Sequence, residues 1–358
     1  MTRITTLIYL LLLAASSVLA KDTWTTEDFV AATGVRPGPI PSRELPGWSA
    51  NPTIRVLGRA GDVSGLAEQF PGARFVDDDE VEPEVIIGSC PANLIGESEK
   101  LVWVQVFSAG VEHCLSVPEL ANGEVLLTNG QKMSAPAIGE HAVAMALSLA
   151  RGLVRYGHLM PDGQWDRDWA RQGNIYSVSG KTMLVVGLGG IGGATAKRAK
   201  ALGMRVIATR NSSRERPPYV DYVGLSDELD DLVVEADIIV NALPLTSTTR
   251  GVFDADLFSK VKPGAYFINV GRGGTVVTEA LVEVLASRHL AGAGLDVTDP
   301  EPLPADHPLW RMNNVIITPH ISWAGVDPRY LNMLMRENIR RYLAGEALLN
   351  VVDPDRGY

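Results

Sequence analysis

The run Met183-Leu184-Val185-Val186-Gly187-Leu188-Gly189-Gly190-Ile191-Gly192 decides the fold. Its apolar start reads as a strand buried on both faces, and the alanine-rich stretch Gly190–Leu202 reads as a helix. Between them, Gly187, Gly189 and Gly192 stand in G-x-G-x-x-G spacing. In that spacing the first glycine permits the tight turn and the second lets a pyrophosphate approach the backbone. The third lets helix and strand close on each other. The helix start at Gly190 and Ile191 offers N–H groups and the positive end of a dipole to phosphates. A glycine turn alone means little. Set between a strand and a helix, with a second strand at Met204–Thr209, it implies a dinucleotide site.

Working outward, the same alternation continues on both sides. Downstream come strands at Asp237–Leu243, Ala265–Val270, Ala291–Asp296 and Val315–Thr318, with a helix at Thr278–Arg288. Upstream, Pro136–Arg151 reads as a long helix, with Ser134 as its cap, Pro136 in its first turn and Gly152 after its end. Before it, Ile54–Leu57, Val85–Ser89, Leu101–Phe107 and Val125–Leu127 read as strands of another parallel sheet. Residues 21–52, with five prolines and no period, read as an irregular lead-in. The last helix, Pro328–Gly345, needs a sheet to cover and is expected to return to the first one. The expected architecture is α/β with two doubly wound domains. A Rossmann dinucleotide-binding domain, 131–318, is inserted into a discontinuous flavodoxin-like substrate domain, 21–130 and 319–358.

Composition narrows the function. A chain of 358 residues suits two domains with sizeable cores, and a net charge of −10 without a basic block argues against nucleic acid as a partner. Residues 1–20 carry one charge, Arg3, then an apolar run and the small residues Ser16 to Ala20. They read as a secretory signal peptide cleaved after Ala20, which would make the protein periplasmic or secreted; uncleaved, the chain would be cytoplasmic. No later stretch is long and apolar enough to span a bilayer. Two cysteines, Cys90 and Cys114, cannot build a cysteine-ligated metal site, and no other metal constellation is apparent. Export would let them pair, although two buried thiols are the expectation.

The second strand's end selects the cofactor, because an acid there would bind ribose hydroxyls and repel a 2′-phosphate. Arg210 stands at this point, followed by Asn211, Ser212, Ser213 and Arg214. Two guanidiniums and two hydroxyls, with no carboxylate opposing them, favour NADP(H) over NAD(H), which stays possible.

Three more residues sit where strands end, the place where doubly wound sheets bind ligands. Arg272 follows Asn269-Val270-Gly271, Glu301 follows Leu295-Asp296-Val297, and His320 follows Val315-Ile316-Ile317-Thr318-Pro319. Singly each is an ordinary turn residue. Together, an arginine, a carboxylate and a histidine could converge beside the nicotinamide of a bound dinucleotide. Other residues say less. His141 and His113 read as packed or turn residues, and Trp103, Trp165, Trp169 and Trp323 as pocket walls or interface.

In these stretches, with Asn241-Ala242-Leu243-Pro244-Leu245-Thr246 and Lys262-Pro263-Gly264, the chain resembles the D-isomer-specific 2-hydroxyacid dehydrogenases. The matching segments cover most of 130–325, and the N-terminal likeness is looser, chiefly Ser108-Ala109-Gly110-Val111. Within the family it looks most like the glyoxylate/hydroxypyruvate reductases. The resemblance implies that Arg272 binds a small 2-oxoacid, that His320 is the acid/base and that Glu301 is its carboxylate partner. It places Ser108, Ala109, Gly110 and Val111 on the substrate carboxylate. Leu243, Pro244, Thr246, Val270, Gly271 and Asp296 then lie beside the cofactor, Asp296 on its carboxamide. It also implies a homodimer built on Pro136–Arg151 and the Trp-rich loop. The rival expectation is a nucleotide-sensing binding protein that keeps the fold without turnover.

Overall fold

The computed structural model describes residues 25–58, 65–76, 81–211 and 213–357; the expected signal peptide at 1–20 and Ser212 lie outside the described residues. The chain enters through α1 (Thr26–Thr33) and β1 (Pro37–Pro41). A first parallel sheet follows, made of β2 (Thr53–Val56), β3 (Arg74–Val76), β4 (Val85–Gly88), β5 (Trp103–Val106) and β6 (Leu126–Thr128). Its spatial order is β3-β2-β4-β5-β6, the flavodoxin-like order.

Helix α2 (Ala135–Ala150) leads from this sheet to the next. Pro136 sits in its first turn, where no N–H is needed, but Ser134 makes no side-chain cap bond, contrary to expectation. The second sheet holds β7 (Thr182–Val186), β8 (Arg205–Arg210), β9 (Tyr222–Leu225), β10 (Ile238–Asn241), β11 (Tyr266–Asn269), β12 (Gly292–Leu295) and β13 (Val315–Ile317), with α3 (Gly190–Ala201) after β7. Its order, β9-β8-β7-β10-β11-β12-β13, runs outward in one direction from β7 and in the other from β10. Every pairing in it is parallel. All carboxyl ends therefore lie on one edge, and β7/β10 is the switch point where such sheets bind ligands. Leu184, Ile207, Ile239 and Phe267 are fully buried, which explains why these strands read as unbroken apolar runs. Burial of each such side chain stabilises the fold by about 1.5–3 kcal/mol.

After β13 the chain passes back to the first sheet through α4 (Pro328–Leu343) and β14 (Ala347–Leu349). Asp327 caps α4 by accepting the Arg329 N–H at 2.9 Å. Met335, Ile339 and Tyr342 pack with Ile54 and Trp103, and the Trp103 and Tyr342 rings stack at 5.4 Å. Inside this apolar seam Asn338 donates to Gln105 Oε1 at 2.8 Å and also brackets Leu349, whose N–H and C=O it satisfies. A buried amide so satisfied fixes the position of α4 on the sheet.

Two further expectations are corrected. The lead-in is not wholly irregular. Thr25 and Asp28 form a capping box that starts α1, and Phe29, fully buried, joins a cluster with Met133, Leu334 and Leu349. Beyond it β1 pairs antiparallel with β14 as a two-stranded ribbon, an edge position that tolerates prolines 37, 39 and 41. The cysteines are not free thiols: Cys90 and Cys114 form a disulfide, with Cα atoms 5.6 Å apart. Cys90 stands just past β4 and Cys114 lies in the turns after the neighbouring β5, so parallel pairing brings both to the same edge.

Candidate active site

The glycine turn has the geometry its spacing demands. Gly187 adopts φ +93°, and a Cβ on Gly192 would stand 2.1 Å from the Gly187 carbonyl oxygen. Only glycine fits at either position. A Cβ on Gly189 would meet nothing within 4 Å, so the backbone there faces open space. Helix α3 begins beside it with no side-chain cap. Uncapped N–H groups at Gly190 and Ile191, next to room for a ligand, fit the pyrophosphate of a dinucleotide. The backbone from Ala242 to Leu243 borders both Gly187 and Gly271, which places Leu243 and Pro244 across the switch point from the turn. Thr246 Oγ is shared with Thr248 and Thr249 within its own loop. Val270 and Gly271 are buried at the end of β11.

At the end of β8, Arg210 lies over the glycine turn, donating from Nε to the Leu188 carbonyl at 3.2 Å and from Nη1 to Ser213 Oγ at 3.4 Å. Asn211 is exposed beside it. The expectation of a basic segment free of carboxylates is corrected. Glu215 Oε2 stands 3.8 Å from Arg210, and Arg214 is turned to Glu228 at 2.6 Å. Hydrogen bonds from Tyr222 and Arg214 hold the Glu228 carboxyl at about 2, so it is ionised. Glu228 was invisible as a partner because β9, which turns the chain back toward Arg214, was not read from the sequence.

The three proposed catalytic positions follow β11, β12 and β13, adjacent strands of one parallel sheet. Glu301 Oε1 lies 2.6 Å from His320 Nδ1, with both side chains about half exposed. His320 itself adopts φ +52°. Its turn is held from below: the His320 N–H donates to the Asp296 carbonyl at 2.8 Å, and the Asp296 carboxylate accepts Thr318 Oγ at 2.6 Å and the N–H groups of Ile321 and Ser322 at 3.0 Å. Asp296 is 1% exposed. Burial pushes its carboxyl upward, but the hydrogen bonds from Ser322, Thr318 and Ile321 outweigh it and hold the group below its usual value. His141, on α2, completes the network at 3.0 Å from Thr318 Oγ. The anchoring of the His320 turn by Asp296 was not read from the sequence, nor was the bond by which Trp323, expected only as a pocket wall or interface, donates to the His320 carbonyl at 2.9 Å.

Arg272 reaches the other sheet. Its Nη1 donates to the Gly271 carbonyl at 2.8 Å, and its Nε donates to Glu112 Oε1 at 2.9 Å. A Cβ on Gly110 would lie 1.8 Å from Arg272 Nη2, so the guanidinium rests directly on the Gly110 backbone. The loop beneath is fixed by Gly130 N–H to the Ser108 carbonyl at 2.9 Å and by Asn129 Nδ2 to the Ala109 carbonyl at 2.9 Å. Val111 turns its side chain into the core of the first sheet. Glu112 and Arg272 stand 160 residues apart, and nothing in their spacing signals the contact.

A cavity of about 560 Å³ lies at the opposite edge of the second sheet, lined by Leu149, His158, Trp169, Tyr266 and Asn314 among others. It is remote from the strand ends that carry the chemistry. Among the described residues no single helix is long and apolar enough to cross a membrane.

Comparison with known proteins agrees with this geometry. Residues 143–322 match the family model for the D-isomer specific 2-hydroxyacid dehydrogenase NAD binding domain. A glyoxylate reductase of Thermofilum pendens is 33% identical over 272 residues, 72% of this chain and 78% of that protein. A D-isomer specific 2-hydroxyacid dehydrogenase of Xanthobacter autotrophicus, solved with NADPH and MES, has a TM-score of 0.74 at 29% identity, covering 86% of this chain and 100% of that one. An NADPH-dependent glyoxylate/hydroxypyruvate reductase of Sinorhizobium meliloti, solved with NADP and sulfate, gives 0.73 at 29% identity over 86% and 99%.

Proposed function

Because this chain belongs to the D-isomer-specific 2-hydroxyacid dehydrogenase family, and so is an NAD(P)-dependent oxidoreductase, we propose that it reduces a small 2-oxoacid such as glyoxylate or hydroxypyruvate with NADPH. The observation that carries the reading is the 2.6 Å contact of His320 Nδ1 with Glu301, one strand over from Arg272. Gly187, Gly189, Gly190, Ile191 and Gly192 would hold the cofactor's pyrophosphate. Arg210, Asn211 and Arg214 would meet a 2′-phosphate, which must then draw Arg214 from Glu228. When bound, the reduced nicotinamide supplies hydride.

The protein's own part is to orient, polarise and protonate. Arg272 holds the substrate carboxylate and carbonyl oxygen and draws electrons from the reacting carbon, while backbone N–H groups of Ala109 to Val111 steady the carboxylate. Glu301 occupies Nδ1 of His320 and leaves Nε2 for the substrate. Protonated there, His320 passes its proton to the oxygen that becomes the hydroxyl. Glu301 fixes the orientation of the imidazole through that contact. The buried Asp296 keeps the turn in place from beneath.

Two further parts of the reading concern setting. The Cys90–Cys114 bond supports export by residues 1–20, since disulfides persist in oxidising compartments. The exposed Leu153, Met160 and Trp165 beside the 560 Å³ cavity support a homodimer contact on that face. The test of the activity is NADPH and NADH oxidation with a panel of 2-oxoacids. Turnover of glyoxylate or hydroxypyruvate, faster with NADPH, is expected. Tight nucleotide binding with no turnover of any 2-oxoacid would overturn the proposal in favour of a sensor.

A further inference from the structure

We propose that Glu112 is a specificity residue that restricts the site to 2-oxoacids carrying a single carboxylate. The inference rests on the proposed reductase activity and deepens it. Arg272 is the cation that activity assigns to the substrate anion, and one face of it is already taken by a protein carboxylate, Glu112 Oε1 at 2.9 Å from Nε. Nη1 is bonded to the Gly271 carbonyl, and Nη2 lies against Gly110. The guanidinium is thus seated between its own backbone, the substrate loop and one negative charge.

Glu112 has little freedom to withdraw. Its neighbour Val111 is buried in the core of the first sheet, and the Leu115 N–H closes a turn on the Val111 carbonyl at 2.9 Å. Two residues further on, Cys114 is bound to Cys90. The backbone under Glu112 is therefore pinned on both sides, and only its side chain can rotate. When a substrate carboxylate engages Arg272, the Glu112 carboxylate stays at the rim of the same pocket. One guanidinium then faces two anions, the substrate's and the protein's. A third, at the far end of a dicarboxylic 2-oxoacid, comes up against the Glu112 carboxylate. About 5 Å from Glu112, at an effective dielectric of about 40, it would be repelled by enough to lower kcat/KM about tenfold. The hydrogen of glyoxylate and hydroxymethyl or methyl substituents meet no such repulsion.

The test compares kcat/KM for glyoxylate and hydroxypyruvate with that for oxaloacetate and 2-oxoglutarate, in the full chain and its Glu112→Gln and Glu112→Asp variants. The parent is expected to favour the monocarboxylates, Glu112→Asp to keep that preference, and Glu112→Gln to shift the ratio toward dicarboxylates about tenfold. Rising salt should weaken the parent's preference, a readout that needs no variant to fold. An unchanged ratio in Glu112→Gln, or equal loss on both substrate classes, would reduce Glu112 to a support for Arg272 and overturn the inference. So would a parent preference insensitive to salt. A parent that reduces no 2-oxoacid at all sinks the reductase reading itself, an outcome distinct from these.

Discussion

The two walls of the cleft are built differently. On the second sheet, Arg272, Glu301 and His320 each follow the carboxyl end of a strand, and β11, β12 and β13 are neighbours in space as in sequence. Their placement follows from parallel pairing, one strand after the next. On the first sheet, the loop from Ser108 to Cys114 owes its position to partners far away in the chain: Gly130, Asn129, Cys90 and Arg272 itself. The first wall is chemistry set by local order, whereas the second is recognition set by long-range contact. Changes in the second should alter which substrate binds while leaving nucleotide binding intact.

The largest effect that separates the walls is expected from Gly110→Ala. Its new Cβ would overlap Arg272 Nη2, and the guanidinium must move. Displacing a substrate-holding group by about 1 Å costs roughly a hundredfold, so kcat/KM for glyoxylate should fall by that order. NADPH affinity, measured by fluorescence titration, should stay unchanged. A parallel loss of NADPH binding would break the division between the walls.

A smaller effect is expected within the first wall. The Asp296 carboxyl is held below its usual value in the folded protein, so as pH falls the unfolded chain takes up that proton first, near pH 3.9. Asp296 therefore stabilises the fold fully above that pH, and its contribution is lost as pH falls toward the depressed folded value. In denaturant melts between about pH 4 and pH 2, the parent's stability should drop more steeply than that of Asp296→Asn. The difference is at most one proton, about 1.4 kcal/mol per pH unit. Identical slopes would mean that the carboxylate does not anchor the His320 turn.

What was legible follows the same division. The glycine spacing, the apolar strands and the strand-end arginine, glutamate and histidine are all set within a few residues of themselves, and parallel pairing does the rest. The three-residue strands Arg74–Val76 and Ala347–Leu349 were missed because a strand of that length shows no period. The four-residue strand Tyr222–Leu225 was missed as well. The ribbon Pro37–Pro41 was hidden by prolines that only an edge tolerates. The disulfide, the Glu112–Arg272 pair and the Glu228–Arg214 pair join residues whose proximity depends on the order of strands in a sheet, which spacing along the chain does not encode.

The most direct test of the central claim is NADPH oxidation by glyoxylate in the parent and in His320→Ala, with NADPH affinity measured on the same samples. The account predicts equal affinity and a fall in kcat of at least about a hundredfold, the scale of a lost proton donor. Turnover at the parent rate by His320→Ala would contradict it.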